Sequence, residues 1–376
     1  MRQIERRIRI VIFAVCVLVG CSGAATGSNG GGTSSPAQNV TQLQRATSGV
    51  QALQAWYSPS TGLYATTGWW NSANATTVLV DYARVSNSTA YNSVFASTFS
   101  AAQKTSSGFI NEYYDDEGWW ALAWIDAYDL TGNQQYLAMA ESIFTDMADG
   151  WDNTCGGGIW WSKARGYKNA IANELFLSVA AHLANRDPQN SAQYLDWANK
   201  EWTWFAQSGM INTQSLINDG LNISKDPTAA TQCTNNGQTT WSYNQGVVLG
   251  GLVELSKLNS DHSLPQAAQK IATAATTLLV DGNGILHDPC EANCGGDGVQ
   301  FKGIFVRNLI ALNSVYPQPT YKTFVNTNAN AIWAQSQGPG FEFGQVWSGP
   351  FDEGNAGSQS SALDAIVGAA ILQGGK

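Results

Sequence analysis

Charge is what this sequence has least of. Among 376 residues there are 28 Asp or Glu and 19 Lys or Arg, 12% together, about half the share of an ordinary soluble domain. No basic excess exists either: the formal charge is −9. That excludes the counterion-releasing face a nucleic-acid binder needs. Long apolar runs are missing, and none reaches the roughly 18 residues of a membrane span. Histidine is scarce, and His182, His262 and His287 are too scattered for a His-based metal site. The sequence has no Gly-x-Ser-x-Gly elbow, P-loop or His-Glu-x-x-His motif. Asp281-Gly282-Asn283-Gly284 lacks the further ligands of an EF-hand. No metal and no cofactor is expected. What the chain does have is rings: 15 Trp, 13 Tyr and 13 Phe, within a 44% hydrophobic composition. That share excludes disorder for most of the chain. Many flat rings among few charges suit a surface that stacks on something flat and neutral.

Arg2, Arg6, Arg7 and Arg9 precede the short apolar stretch 10–19, followed by small residues. This pattern predicts an export signal over 1–20 rather than a membrane helix. Leu18-Val19-Gly20-Cys21 resembles the lipobox of bacterial lipoproteins, which makes Cys21 the expected lipidation site. Residues 21–38 are rich in Gly, Ser and Thr and read as a flexible tether. The protein is then expected at the cell surface as a lipoprotein, or secreted if Cys21 only lies near an ordinary cleavage site. Four cysteines remain beyond Cys16 and Cys21: Cys155, Cys233, Cys290 and Cys294. An even number in an exported chain points to disulfides. Three connectivities are possible, and Cys155 with Cys233 and Cys290 with Cys294 is the expected one. Zinc is the rival use, but no second His or Cys-x-x-Cys pair completes a site beside His287.

From residue 39 onward, amphipathic segments with helical spacing follow one another. Twelve are expected, near 40–56, 72–86, 90–104, 117–130, 134–148, 169–185, 190–207, 241–259, 264–280, 301–314, 319–336 and 358–373. Short turn-like links such as Thr131-Gly132-Asn133 follow the even helices. Long links follow the odd ones, over 57–71, 105–116, 149–168, 208–240, 281–300 and 337–357. Antiparallel hairpins joined this way put every long loop at one end. The expectation is one all-α domain over 39–376, a closed (α/α)6 toroid of six helical hairpins, with an open solenoid as the alternative. Long loops of this kind usually carry function. Here they hold Trp69, Trp70, Tyr113, Tyr114, Trp151, Trp160, Trp161, Tyr167, Phe341 and Trp347.

One long link ends in Tyr114-Asp115-Asp116-Glu117-Gly118-Trp119-Trp120. Acids before a helix can simply complement its N-terminus. Two adjacent carboxylates can also cleave a glycosidic bond, one as acid and one facing the anomeric carbon. On an extended or turning loop they stand roughly 5–7 Å apart, nearer the about 5–5.5 Å of a retaining pair than the about 6.5–9.5 Å of an inverting one. Close carboxylates raise each other's proton affinity, so one can stay protonated.

The run from Tyr114 to Leu122 resembles the signature of glycoside hydrolase family 76, the endo-α-1,6-mannanases and related fungal wall enzymes. Further similar stretches follow in family order: Cys155 to Trp161, Tyr167 to Glu174, Asn218 to Leu221, Trp241 to Gly246, Gly284 to Asp288 and Gln300 to Arg307. Together they cover about 56–365. The resemblance implies an (α/α)6 barrel that cleaves α-1,6-linked mannan with retention, through a covalent mannosyl-enzyme. It implies Asp115 as nucleophile and Asp116 as acid/base, with Asp219 against the −1 sugar. Trp119, Trp120, Tyr167, Asn169, Tyr243, Asn244, Gln245 and Lys302 are the remaining cleft candidates, each with a bland use as core, cap or ion pair. Lys302 and Arg307 could bridge carboxylates. The expected partner is a neutral α-mannan, and the expected state is a monomer. Two other functions fit the same residues: a transglycosylase that remodels glycans, and a non-catalytic mannan-binding lipoprotein. The wall-crosslinking relatives carry a C-terminal anchor signal that this sequence lacks, which favours hydrolysis, and the Asp115–Asp116 pair speaks against a mere binder.

Overall fold

The structure is a computed structural model and describes residues 40–224, 232–259 and 261–374. The expected signal segment, the tether and Cys21 lie outside the described residues. Within them, helices form where the sequence supplies both a cap and an apolar pattern. Helix α1 (Gln42–Gln54) opens on a capping box between Thr41 and Gln44. Helix α6 (Ala170–Arg186) starts at Asn169, whose side chain accepts from the Ala172 N–H. Helix α12 (Pro319–Gln335) places Pro319 in its first turn, where no N–H is missed.

The helices sort into two rings. The inner one comprises α2 (Trp69–Ser86), α4 (Tyr114–Thr131), α6, α8 (Ser242–Ser256), α11 (Phe301–Val315) and α13 (Ala356–Gly374). Each packs on the next, and α13 returns to α2, so the ring closes. Inner helices are buried on nearly all sides: in α13 every residue from Ala356 to Ala370 is buried. The outer ring comprises α1, α3 (Asn92–Ala101), α5 (Gln134–Ala148), α7 (Ser191–Gln207), α9 (Ser263–Leu278) and α12. Outer helices bury one stripe only, as in α9 at Leu264, Pro265, Ala268, Ile271, Ala272 and Ala275. Helix α5 lies on α4, α7 on α6, α9 on α8, and both α1 and α12 on α13. The one-turn helix α10 (Gly295–Gly298) precedes α11. This is a closed (α/α)6 toroid, and the open solenoid is excluded. Close approach within the inner ring depends on small residues. A Cβ on Gly303 of α11 would lie 2.5 Å from Cα of Ser361 in α13.

Every inner helix follows a long loop and is followed by a short link, or ends the described chain, so all six run parallel. Their N-termini share the long-loop face and their C-termini the opposite face. Two short hairpins stiffen the long loops: β1 (Tyr57–Ser58) with β2 (Leu63–Tyr64), and β3 (Leu221–Ile223) with β4 (Cys233–Asn235). Cys155 is bonded to Cys233, joining the loops after α5 and α7, and Cys290 is bonded to Cys294. With those sulfurs engaged, the zinc use is excluded for them.

Two helix starts differ from expectation. Helix α2 begins at Trp69 rather than 72, because the Asn71 side chain folds back to accept the Gly68 N–H. Helix α4 begins at Tyr114 rather than 117, with Asp115, Asp116 and Glu117 in its first turn, where negative charge meets the positive end of the dipole. The acid pair therefore sits on a helical turn and not on an extended loop. Three expected rim aromatics are core instead: Tyr114, Trp160 and Trp347 are buried, while Tyr113, Trp161 and Phe341 are exposed. Among the described residues, no helix is long and apolar enough to cross a membrane.

Candidate active site

At the long-loop face, four rings from four inner helices form a floor across the toroid axis. Trp70 of α2 stacks on Trp119 of α4 at 5.5 Å, and Trp119 on Tyr243 of α8 at 6.4 Å. Tyr243 lies flat on Phe301 of α11, centroids 3.8 Å apart. The Trp70 indole N–H donates to Asp297 Oδ1 at 2.9 Å, fixing the edge of the floor. Trp120, one residue on from Trp119, points the other way and packs with Trp69, Phe109 and Trp124 in the core.

Asp115 and Asp116 stand beside this floor, both half-buried. Asp115 Oδ2 accepts the indole N–H of Trp161 at 3.0 Å, while Oδ1 is buried without a partner. Asp116 Oδ2 accepts from the Asn111 amide at 2.6 Å. Burial first, then the Asp116 charge, pushes the Asp115 carboxyl up to about 8. Burial pushes Asp116 up to about 6, with the Asn111 bond pulling down and Asp297 adding a smaller push. Their neighbour Glu117 turns away: it accepts the Asn111 backbone N–H and pairs with Lys163 at 3.1 Å.

Opposite the pair, Asp219 accepts the Tyr167 hydroxyl at 2.5 Å, and that hydroxyl also accepts from the Asn236 amide at 2.8 Å. Tyr243 ties the two sides together. Burial, followed by the charges of Asp219, Asp115, Glu174 and Asp297, holds its phenol proton on. Four carboxyls from separate segments thus converge on one ring. Glu174 is fully buried with neither oxygen bonded, and burial beside Asp219 holds it protonated.

The other sequence candidates divide. Asn244 is buried near the floor with its amide free of partners. Gln245 is committed to backbone: it accepts the Ile217 N–H and donates to the carbonyls of Ile217 and Trp241. Asn169 caps α6. Lys302 is buried under Trp347, paired with Glu291 and donating to the Gln345 carbonyl. Arg307 pairs with Asp364 and Asn74 along the axis. Trp120 is core. These five support the site without facing it. Sequence reasoning passed over Asn111 and Asp297 as site residues. Only the place of Asn111, just before the acidic run, could have signalled its part.

The similarities bear on this face. Residues 43–375 match the family profile described as glycosyl hydrolase family 76. The chain belongs to glycosyl hydrolase family 76. It is 26% identical over 340 residues to the mannan endo-1,6-alpha-mannosidase DCW1 of Saccharomyces cerevisiae, covering 81% of this chain and 72% of that one. An inactive double-aspartate variant of an alpha-1,6-mannanase from Salegentibacter sp., solved with alpha-1,6-mannotetrose, superposes with a TM-score of 0.79 at 22% identity. That match covers 88% of this chain and 99% of the other. The Lin0763 protein from Listeria innocua superposes equally well, TM-score 0.79, at 25% identity, covering 89% and 98%. As a family 76 member the chain is a glycoside hydrolase.

Proposed function

We propose that this enzyme cleaves α-1,6-mannosidic bonds within mannan, with retention of anomeric configuration. The observation that carries the reading is the half-buried Asp115–Asp116 pair beside an aromatic floor. The sequence contains one Asp-Asp pair, and the Salegentibacter mannanase is inactive when two consecutive aspartates are replaced. Asp115 attacks C1 as the carboxylate, the C1–O6 bond breaks, and Asp116 gives its proton to the departing O6. In the second step a water attacks C1, Asp116 takes its proton, and Asp115 leaves as carboxylate.

In the free enzyme the proton favours Asp115, whereas the first step needs it on Asp116. Substrate supplies the difference. Positive charge developing at C1 favours an ionised Asp115, and the bridging oxygen is a hydrogen-bond acceptor for a protonated Asp116. The Trp161 N–H bonds the ionised form of Asp115 in the same sense. Asp219 and Tyr243 supply an acceptor and a donor for hydroxyls of the −1 sugar, and the half-buried Trp70, backed by the buried Trp119, offers a face to a pyranose. A neutral glycan requires little counter-charge, which accounts for the sparse charge of the chain. Export to the cell surface or beyond fits a polysaccharide substrate.

The test is incubation of the purified protein with α-1,6-mannan while the anomeric protons of the products are followed by NMR. Oligosaccharides appearing first as α-anomers are expected. First-formed β-anomers would overturn retention. Full activity in Asp115→Asn or Asp116→Asn would overturn the pair. Longer products from short mannosides would make the enzyme a transglycosylase, and binding without turnover would make it a mannan-binding protein.

A further inference from the structure

Beneath the aromatic floor the toroid is hollow. A chamber of about 940 Å³ opens on the short-link face, walled by the C-terminal halves of all six inner helices, with Trp119 as its ceiling. It is separate from the catalytic face and holds much of the charge that the rest of the sequence lacks. Five carboxylates line it, Asp81, Asp126, Asp129, Glu254 and Asp364, against four cations, Arg84, Arg186, Lys257 and Arg307. The cations are all used. Arg84 pairs with Asp81 at 2.7 Å, and Arg307 with Asp364 at 3.1 Å. Arg186 pairs with Asp129 at 2.6 Å and Glu254 at 3.1 Å, and Lys257 with Glu254 at 2.5 Å. Among the described residues no ion pair reaches Asp126, which faces the chamber from the middle of α4. Burial and the Asp81 charge push it up to about 6, with Arg84 and Arg307 pulling it back. Burial pushes Asp364 up to about 7 against the pull of Arg307, so both are charged at pH 8. Two further facts make this a place for positive charge. Six parallel helices end around the chamber, and each C-terminus carries about half a negative charge. Burial also holds His182, in the wall, below its usual value and hence neutral.

Between the charged groups the wall is apolar, with Leu122, Val253, Ile310 and Val367. A bare metal ion would find no oxygen cage: among the described residues, no group of three or more His, Cys, Asp or Glu could hold one. The volume is far larger than the roughly 30 Å³ of a water molecule and lies in the range of small-ligand sites.

We propose that the axial chamber is a second binding site, for a small organic ammonium ion whose charge rests against Asp126 and whose hydrocarbon part lies on the Leu122–Val253–Ile310–Val367 wall. The ammonium completes the charge balance of the lining, five carboxylates against five cations. Its alkyl part displaces water from apolar wall that a metal ion would leave wet. The assignment is independent of the sugar chemistry on the other side of Trp119.

The experiment is a calorimetric and thermal-shift titration of the full chain at pH 8 with n-butylammonium chloride, against sodium chloride at equal ionic strength and against butan-1-ol. Saturable one-site binding and a raised Tm are expected with butylammonium and with neither control. Asp126→Asn keeps the shape of the wall and removes the charge, and should weaken binding at least about tenfold. Ala311→Trp narrows the chamber without removing a charge and should also weaken binding, so the outcome does not depend on one variant folding. Absence of saturable binding overturns the proposal. Equal binding of butan-1-ol overturns it as well, as does unchanged affinity in either folded variant.

Discussion

The indole N–H of Trp161, in the long loop after α5, donates across 3.0 Å to Asp115 in the first turn of α4. Trp161 is exposed, and its ring leans on Tyr113 at 4.9 Å and meets Tyr167 edge-on at 6.5 Å, while its backbone bonds to Tyr114 and Tyr167. Hydrogen bonds to a charged acceptor contribute about 1.5–3 kcal/mol. Trp161→Phe keeps the ring and deletes the donor. It should lower kcat by roughly ten- to a hundredfold and, by removing a bond that favours the carboxylate, move the acid limb of the kcat profile, which reports Asp115 in the substrate complex, to higher pH. A steady-state profile of both proteins on mannan decides it; an unmoved limb would mean Trp161 only shapes the rim.

The pair itself sets a pH window. Asp115 is pushed up to about 8 and Asp116 to about 6, and they titrate as a unit. Turnover needs one proton on the two carboxyls. The kcat/KM profile of the free enzyme should be a bell, falling below about pH 6 as both are protonated and above about pH 8 as both ionise. Asp116→Asn should remove the limb that belongs to the second proton. A profile flat from pH 5 to 9 would contradict shared titration.

Raised carboxyls also weaken the fold at high pH. In the folded state Asp115 and Asp116 bind protons up to values well above the ordinary 3.8, so the native protein holds more protons than the unfolded chain between about pH 4 and 8. Stability therefore falls as pH rises through that interval. Asparagine does not titrate. Asp115→Asn should be more stable than wild type at pH 8, by about 1–3 kcal/mol, and the advantage should vanish near pH 4. The gain for Asp116→Asn should be smaller, following its smaller shift. Denaturant melts at the two pH values measure both.

Much of this was legible before any coordinates. The alternation of short and long links requires parallel inner helices and a loop-rich face, and Asp115, Asp116, Asp219 and Tyr243 do meet there. What was not legible concerns direction. Gln245 and Lys302 have the right chemistry for a sugar, but their polar ends point at Ile217, Glu291 and Gln345, and only tertiary packing decides that. Trp119 and Trp120 are neighbours in sequence and about 100° apart on a helix, so one floors the cleft and the other fills the core. The axial chamber was invisible because its ion pairs join helices distant in sequence, such as Arg186 with Glu254 and Arg307 with Asp364.

Cys155–Cys233 closes a loop of 78 residues across two site loops, whereas Cys290–Cys294 spans only 4. Constraint of the unfolded chain grows with loop length. Cys155→Ser with Cys233→Ser should lower stability by about 2–4 kcal/mol, and removing the second bridge should cost clearly less. Equal losses in urea melts would place the effect in the folded state instead.

Lys168 offers the most demanding check on how the site is held. Its amine is fully buried, with five oxygens sharing its three N–H donors: Oδ1 and the carbonyl of Asp152, and the carbonyls of Thr154, Gly157 and Gly158. Trp160 packs over it at 4.9 Å and donates its indole N–H to Asp152. This cage folds the loop that ends in Trp161, and Tyr167 next to Lys168 holds Asp219. Lys168→Met keeps the length of the stem, leaves the buried carbonyls without a donor, and leaves Asp152 with Arg165 for a cation, at 3.8 Å. Leaving buried acceptors without a donor costs about 1–3 kcal/mol, and Lys168→Arg is no substitute because a planar fork does not fit acceptors set around a single point. The variant should lose stability by that amount. If the cage acts on catalysis through Trp161, the acid limb of its pH profile should also shift upward, in the same direction as in Trp161→Phe. A variant that loses stability but keeps the wild-type profile would confine Lys168 to holding the loop together.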